Sequence, residues 1–225
     1  MVSLYCPIDA SQEQVLSCTR TKVRLLLQAK HMDNESELIR RSQHGDLDAF
    51  NQLVLSYQGH VYNLALRLLS HEATAADAAQ EAFISAYQSI GGFRGGNFRS
   101  WLLRITANAC KDLLRSARVR PAVSLESLEL DPSVTPRSKA DPPEEAALRE
   151  ELAAEIQRGL DSLSQEQRLA AVLVDVQGFS YEEAAQVMGT SVGTVKSRLS
   201  RARGGLRDYL RAHSELLPAQ FRLDS

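Results

Sequence analysis

Proline placement divides this chain in two. Five of its seven prolines (Pro121, Pro132, Pro136, Pro142 and Pro143) fall between residues 120 and 143, among serines and aspartates. Proline has a fixed φ and no N–H, so this stretch cannot continue a helix and reads as an extended linker. On either side apolar residues recur every three or four positions, the period of an amphipathic helix. Aromatics make up only 6% of the 225 residues. The expected fold is therefore all-α, two small helical domains rather than a sandwich or barrel. The expected division is 1–34 a leader, 35–119 the first helical domain, 120–143 the linker, 144–213 the second, and 214–225 a tail. The leader reads equally well as a flexible segment or as a short packed helix at 20–30. No run approaches the ~20 apolar residues of a membrane-spanning helix. Three cysteines (Cys6, Cys18, Cys110) without CxxC spacing disfavour a disulfide framework and point to a reducing cytoplasm.

In the first domain, Phe50, Leu53, Val54, Tyr57, Val61, Leu64, Ala65 and Leu68 form one apolar stripe, with Asp46 expected as N-cap. A second stripe reads Ala75, Ala78, Ala79, Ala82, Phe83, Ala86, with Thr74 as candidate cap. Its opposite face carries Asp77, Gln80 and Glu81. A glycine-rich loop follows at 91–97. The helix beyond it is expected to bury Trp101, Leu102, Ile105, Ala109 and Leu113.

In the second domain, Ser164 to Gln167 and Ser180 to Glu183 both have capping-box form. A short helix to Met188, a Gly189-Thr190 turn and a helix capped by Ser191 make a helix-turn-helix. Val192, Val195, Leu199, Ala202, Leu206 and Leu210 are expected to face its core.

The formal net charge of −2 conceals strong segregation. Residues 99–120 hold six Arg/Lys against one acid, and 196–211 again six against one. Residues 126–155 hold nine acids against three bases. Thr194, Lys196, Ser197, Arg198, Ser200, Arg201 and Arg203 lie at or near the outer face of the last helix. A solvated basic face is one reading. A capped short helix and glycine turn at the correct offset favour the other, a recognition helix in a major groove. The 91–97 loop lacks the preceding strand and Lys-Ser/Thr of a phosphate cradle. With Phe93, Phe98, Trp101 and the basic helix behind it, the loop suits single-stranded nucleic acid; plain core packing is the competing reading for Phe98 and Trp101. The five histidines are scattered and no catalytic constellation emerges, so neither an enzyme nor a cofactor site is expected.

Four stretches carry a family resemblance. These are Gly45-Asp46 with Ala49-Phe50 and Leu53-Val54; Ala76 to Phe83; Phe93-Arg94-Gly95 with Phe98 to Leu102 and Arg104 to Asn108; and Gly178 to Ala185 through Ser191 to Arg203. Together, in this order and around a proline-rich spacer, they resemble the bacterial extracytoplasmic-function (ECF) sigma factors of the sigma-70 class. The resemblance implies sigma region two, then region four, and core RNA polymerase and promoter DNA as partners. It implies that Asp77, Gln80 and Glu81 meet the polymerase clamp. Phe93, Arg94 and Asn97 of the glycine loop, with Asn108, would hold a flipped base of the minus-ten element. Arg104, Lys111, Arg115 and Arg118 would contact phosphates there. Lys196, Ser197, Ser200 and Arg201 would read the minus-thirty-five element, while Thr194, Arg198 and Arg203 position the helix. The class commonly has an anti-sigma factor as a further partner. A helix-turn-helix regulator acting without polymerase is the alternative, and it would not need the aromatic and glycine segment.

Overall fold

The computed structural model describes residues 34–119 and 143–213. The expectations for 1–33, 120–142 and 214–225, including the packed helix at 20–30, lie outside the described residues. Among the described residues every regular element is helical. In order they are α1 (34–43), α2 (Leu47–Leu69), α3 (Glu72–Ser89) with a 3₁₀ turn (Ile90–Gly92), α4 (Phe98–Val119), α5 (Pro143–Asp161), α6 (Gln165–Ala171) running into a π-helical turn (Val172–Val176), α7 (Tyr181–Met188) and α8 (Val192–Ala212). The described residues fall into two compact units, divided between Leu55 and Ser56.

In the first unit, α1 buries Leu38 and Ser42, whose hydroxyl donates to the Leu38 carbonyl (2.7 Å). Asp46 caps α2 as expected, accepting from the Ala49 N–H (3.0 Å). That bond, helped by Arg41, holds the Asp46 carboxyl below the usual carboxylate range.

In the second unit, α2 buries Val61, Leu64, Ala65 and Leu68, and α3 buries Ala75, Ala78, Ala79, Ala82 and Ala86. A stripe of alanines brings the backbone of α3 close to its packing partner α4. The cap of α3 is not Thr74 but His71, whose ring Nδ1 accepts from the Thr74 N–H (3.3 Å). The buried face of α4 is also rotated from the expected one. It comprises Phe98, Ser100, Leu102, Leu103, Thr106, Ala107 and Cys110, while Trp101, Ile105 and Ala109 are half-buried and Leu113 is 37% exposed. Two causes act together. α4 packs against both α3 and α7, and Thr106 occupies a core position by turning its hydroxyl onto the Leu102 carbonyl (3.0 Å). Burial pushes the Cys110 thiol up to about 12, so it packs rather than reacts.

Beyond the linker, Ser164 precedes α6 but makes no side-chain cap, contrary to the capping-box expectation. The turn is held instead by Arg168, which donates to the carbonyls of Asp161 (2.8 Å) and Leu68 (3.0 Å). Ser180 and Glu183 form the second capping box as expected. α7 ends at Gly189 in the left-handed region (φ 63°), and Ser191 caps α8. Val195, Leu199 and Ala202 are the fully buried part of the α8 stripe, and Val192, Leu206 and Leu210 are half-buried. α8 passes so close to Leu163 that a Cβ on Gly205 would lie 2.7 Å from it.

Only glycine sits without strain at the φ of residue 189. Gly189→Ala is expected to lower the stability of the helix-turn-helix by about 1 kcal/mol, read as a fall in urea midpoint with unchanged slope.

Candidate nucleic-acid interface

Three surfaces carry the residues singled out by sequence. On α3, Asp77, Gln80 and Glu81 are exposed opposite the buried Ala78, Ala79 and Ala82. Ile84, four residues beyond Gln80, adds an exposed apolar side chain to that face (44% exposed). Sequence reading missed it, although its helical offset from Gln80 was available.

The second surface is the loop and α4. Phe93, Phe98 and Trp101 form a cluster with ring centroids 5.3 to 5.5 Å apart, and Tyr57 joins through Phe98 (5.5 Å). Phe98 is buried while Phe93 and Trp101 are half-buried, so the rings chiefly pack on one another. Arg94 is exposed. Asn97 caps α4, its Oδ1 accepting from the Ser100 N–H (3.0 Å), and its amide donates to Glu183 Oε1 (2.7 Å). At about 100° per residue, positions 104, 108, 111 and 115 fall in one row along α4. Arg104, Asn108 and Arg115 are exposed, and Arg115 lies 3.7 Å from Asp112. Lys111 lies 3.7 Å from Glu166. Arg118 sits on the last turn. Arg99, one of the six bases of this segment, turns inward instead. It donates to the Gln177 carbonyl (2.6 Å) and Oε1 (3.0 Å) and lies over the Phe179 ring (4.5 Å). Burial pulls its pKa below the ordinary arginine value.

The third surface is α8. The seven candidates do not share one face. With Val195, Leu199 and Ala202 inward, Ser197, Ser200 and Arg201 point most directly outward, and all three are exposed. Thr194 belongs to the cap, its hydroxyl 2.9 Å from that of Ser191, and Ser197 Oγ donates to the Thr194 carbonyl (2.9 Å). Arg198 and Arg203 lie on opposite flanks, each held by a carboxylate. Arg198 meets Glu166 at 2.9 Å. Arg203 grips Asp175 through Nε (3.2 Å) and Nη2 (2.6 Å), which raises its pKa further. On the Arg203 flank, Tyr181, Lys196, Ser200, Arg203 and Arg207 line a shallow groove, with the Lys196 ammonium 5.4 Å from the Tyr181 ring centroid. Tyr181 and Arg207 were not singled out by sequence. Arg207 continues the row of 196, 200 and 203, so helical register was its signal.

The chain matches two family descriptions, Sigma-70 region 2 over residues 53–120 and Sigma-70, region 4 over residues 153–204. The ECF RNA polymerase sigma-E factor of Escherichia coli (strain K12) is 39% identical over 173 residues, covering 74% of this chain and 88% of that protein. The chain belongs to the ECF sigma factors of the sigma-70 family. The ECF RNA polymerase sigma factor SigE of Mycolicibacterium smegmatis is 40% identical over 168 residues, which span 75% of this chain and 64% of that protein. Among solved structures, the sigma factor RpoE of Bartonella quintana, determined in complex with the anti-sigma factor NepR, is 28% identical with a TM-score of 0.58, covering 73% of this chain and 98% of that one. As an ECF sigma factor the chain is a DNA-binding factor of transcription initiation. Among its described residues no helix is long and apolar enough to cross a membrane.

Proposed function

We propose that this ECF sigma factor uses its three surfaces as the class resemblance implies. Residues 35–119 act as region two and 144–213 as region four, joined by 120–143. Asp77, Gln80 and Glu81 dock to the clamp of core RNA polymerase, with Ile84 as their apolar neighbour. Phe93, Arg94, Asn97 and Asn108 engage the minus-ten strand, and Arg104, Lys111, Arg115 and Arg118 neutralise its phosphates. Ser197, Ser200, Arg201 and Lys196 read the minus-thirty-five element, and Thr194, Arg198 and Arg203 orient the helix. The protein works in the cytoplasm and is not an enzyme. An anti-sigma factor is a natural partner, because the matched sigma factor from Bartonella quintana was solved with one.

The observation that carries this reading is α8. An outward row of hydroxyls and an arginine stands on a packed apolar face, behind a capped turn, in a chain of this family. The test is run-off transcription by core polymerase from a library of promoter fragments, with and without the chain. Promoter-selective transcripts are expected only with it. Duplex binding without any transcript would favour a polymerase-independent regulator.

The clamp assignment has its own test. Asp77→Ala with Gln80→Ala is expected to weaken core-polymerase binding about tenfold, measured by fluorescence anisotropy, with helix content unchanged. Unaltered affinity would return these residues to a merely solvated face.

A further inference from the structure

The cations of α8 are held in two different ways. Arg198 and Arg203 each meet a carboxylate, Glu166 at 2.9 Å and Asp175 at 2.6 Å. What Lys196 meets is a ring: its ammonium stands 5.4 Å from the centroid of Tyr181, inside the ~6 Å reach of a cation–π contact. The difference has a chemical consequence. A carboxylate neutralises its cation and competes with DNA for it. An aromatic face orients the ammonium and leaves its whole charge available.

Tyr181 is itself firmly placed. It is the first residue of α7, and the Ser180–Glu183 capping box fixes the backbone around it. Two residues earlier Phe179 is buried, and its N–H donates to the Leu173 carbonyl (3.0 Å). The half-buried Tyr181 ring thus forms one wall of the groove that Lys196, Ser200 and Arg203 also line. Lys196 by contrast is exposed, on a flexible four-carbon stem. Immobilising such a side chain on binding costs affinity, and holding it beforehand in its bound direction removes part of that cost.

We propose that Tyr181 is a positioning residue of the upstream-element reader: its ring aims the Lys196 ammonium at a base edge, so sequence preference there depends on a side chain that reads no base itself. The inference rests on the assignment of Lys196 to the minus-thirty-five element. An exposed cation–π contact shifts an equilibrium about two- to fivefold, and that is the size of preference at stake.

The test is run-off transcription by core polymerase with the full-length chain, on promoters whose upstream element varies one base pair at a time. Lys196→Ala identifies the base pair at which preference depends on the lysine. Tyr181→Leu is expected to lower preference at that same base pair about two- to fivefold and to leave the other positions as they were. In the Lys196→Ala background it should change preference no further, since its effect passes through the lysine. Tyr181→Phe keeps the ring and should keep the wild-type preference. Preference is a ratio within one library, so a smaller folded fraction lowers all transcripts alike and does not imitate the effect. Should Tyr181→Leu abolish folding, Tyr181→Gln removes the ring with a polar side chain and gives the same ratio. A uniform loss with preference retained, a change equally large without Lys196, or a Tyr181→Phe profile like that of Tyr181→Leu overturns the positioning role. A Lys196→Ala profile identical to wild type removes the base contact and the positioning role with it. A wild-type chain that programs core polymerase without any upstream preference overturns the functional reading instead.

Discussion

Replacing Arg201 by alanine is expected to lower use of the cognate upstream element about ten- to a hundredfold, because a direct base contact is worth about 1–3 kcal/mol of discrimination. Arg201 is exposed and lies on the outward side of α8 beside Ser197 and Ser200, away from the buried Val195, Leu199 and Ala202. Choice should relax at one or two base pairs. Arg203→Ala provides the contrast. Its guanidinium is on the flank, 2.6 Å from Asp175; if from there it contacts a phosphate and not a base, its loss should weaken all upstream sequences about equally and reduce the salt slope by about one. The comparison needs a library of upstream elements at two salt concentrations. If both variants shift affinity uniformly and neither alters preference, Arg201 positions the helix and does not read bases.

The second large effect is on stability. Leu102 is 1% exposed, and Leu102→Ala is expected to cost about 2–5 kcal/mol, a removed side chain plus the cavity it leaves. Leu113 lies on the same helix and on the stripe that apolar spacing alone would bury, yet it is 37% exposed. Leu113→Ala should therefore cost about 1 kcal/mol or less. Urea denaturation of the two variants decides between the expected and the observed phase of α4. Equal losses would favour the stripe read from spacing.

That difference shows where sequence reasoning held and where it stopped. The helix-turn-helix was legible because its signals are local. Ser180 with Glu183, Gly189 at positive φ and Ser191 are each read from a few neighbouring residues, and each sits where the pattern puts it. The phase of α4 was not, because a polar Thr106 holds a core place and a second packing partner, α7, comes from far along the chain. His71 is not legible as a cap, because a ring nitrogen rarely takes that role. Ser164 fits the capping-box pattern yet its side chain caps nothing; the turn is held by Arg168 donating to the Asp161 and Leu68 carbonyls, a tertiary contact that local spacing does not announce. The candidate cations were found by composition. Their carboxylate partners were not, since Glu166 and Asp175 are brought to them only by tertiary packing.

The π-helical turn after α6 also left no pattern in the valine-rich run Val172–Val176. Its signature is the bond from the Gln177 N–H to the Val172 carbonyl (2.8 Å), one residue longer than an α-helical turn. The extra residue turns everything after it by about 100°, and Gln177 follows directly. Substitution among Val172, Val174 and Val176 leaves that count intact. Loss of a single codon does not: it would swing Gln177 away from Arg99 and His60 and pull Phe179 and the α7 cap out of register, with every side chain still present. The buried Val172 and Leu173 must stay apolar, but beyond that the protein depends here on the number of residues, so its lineage should tolerate apolar replacements far better than insertions or deletions.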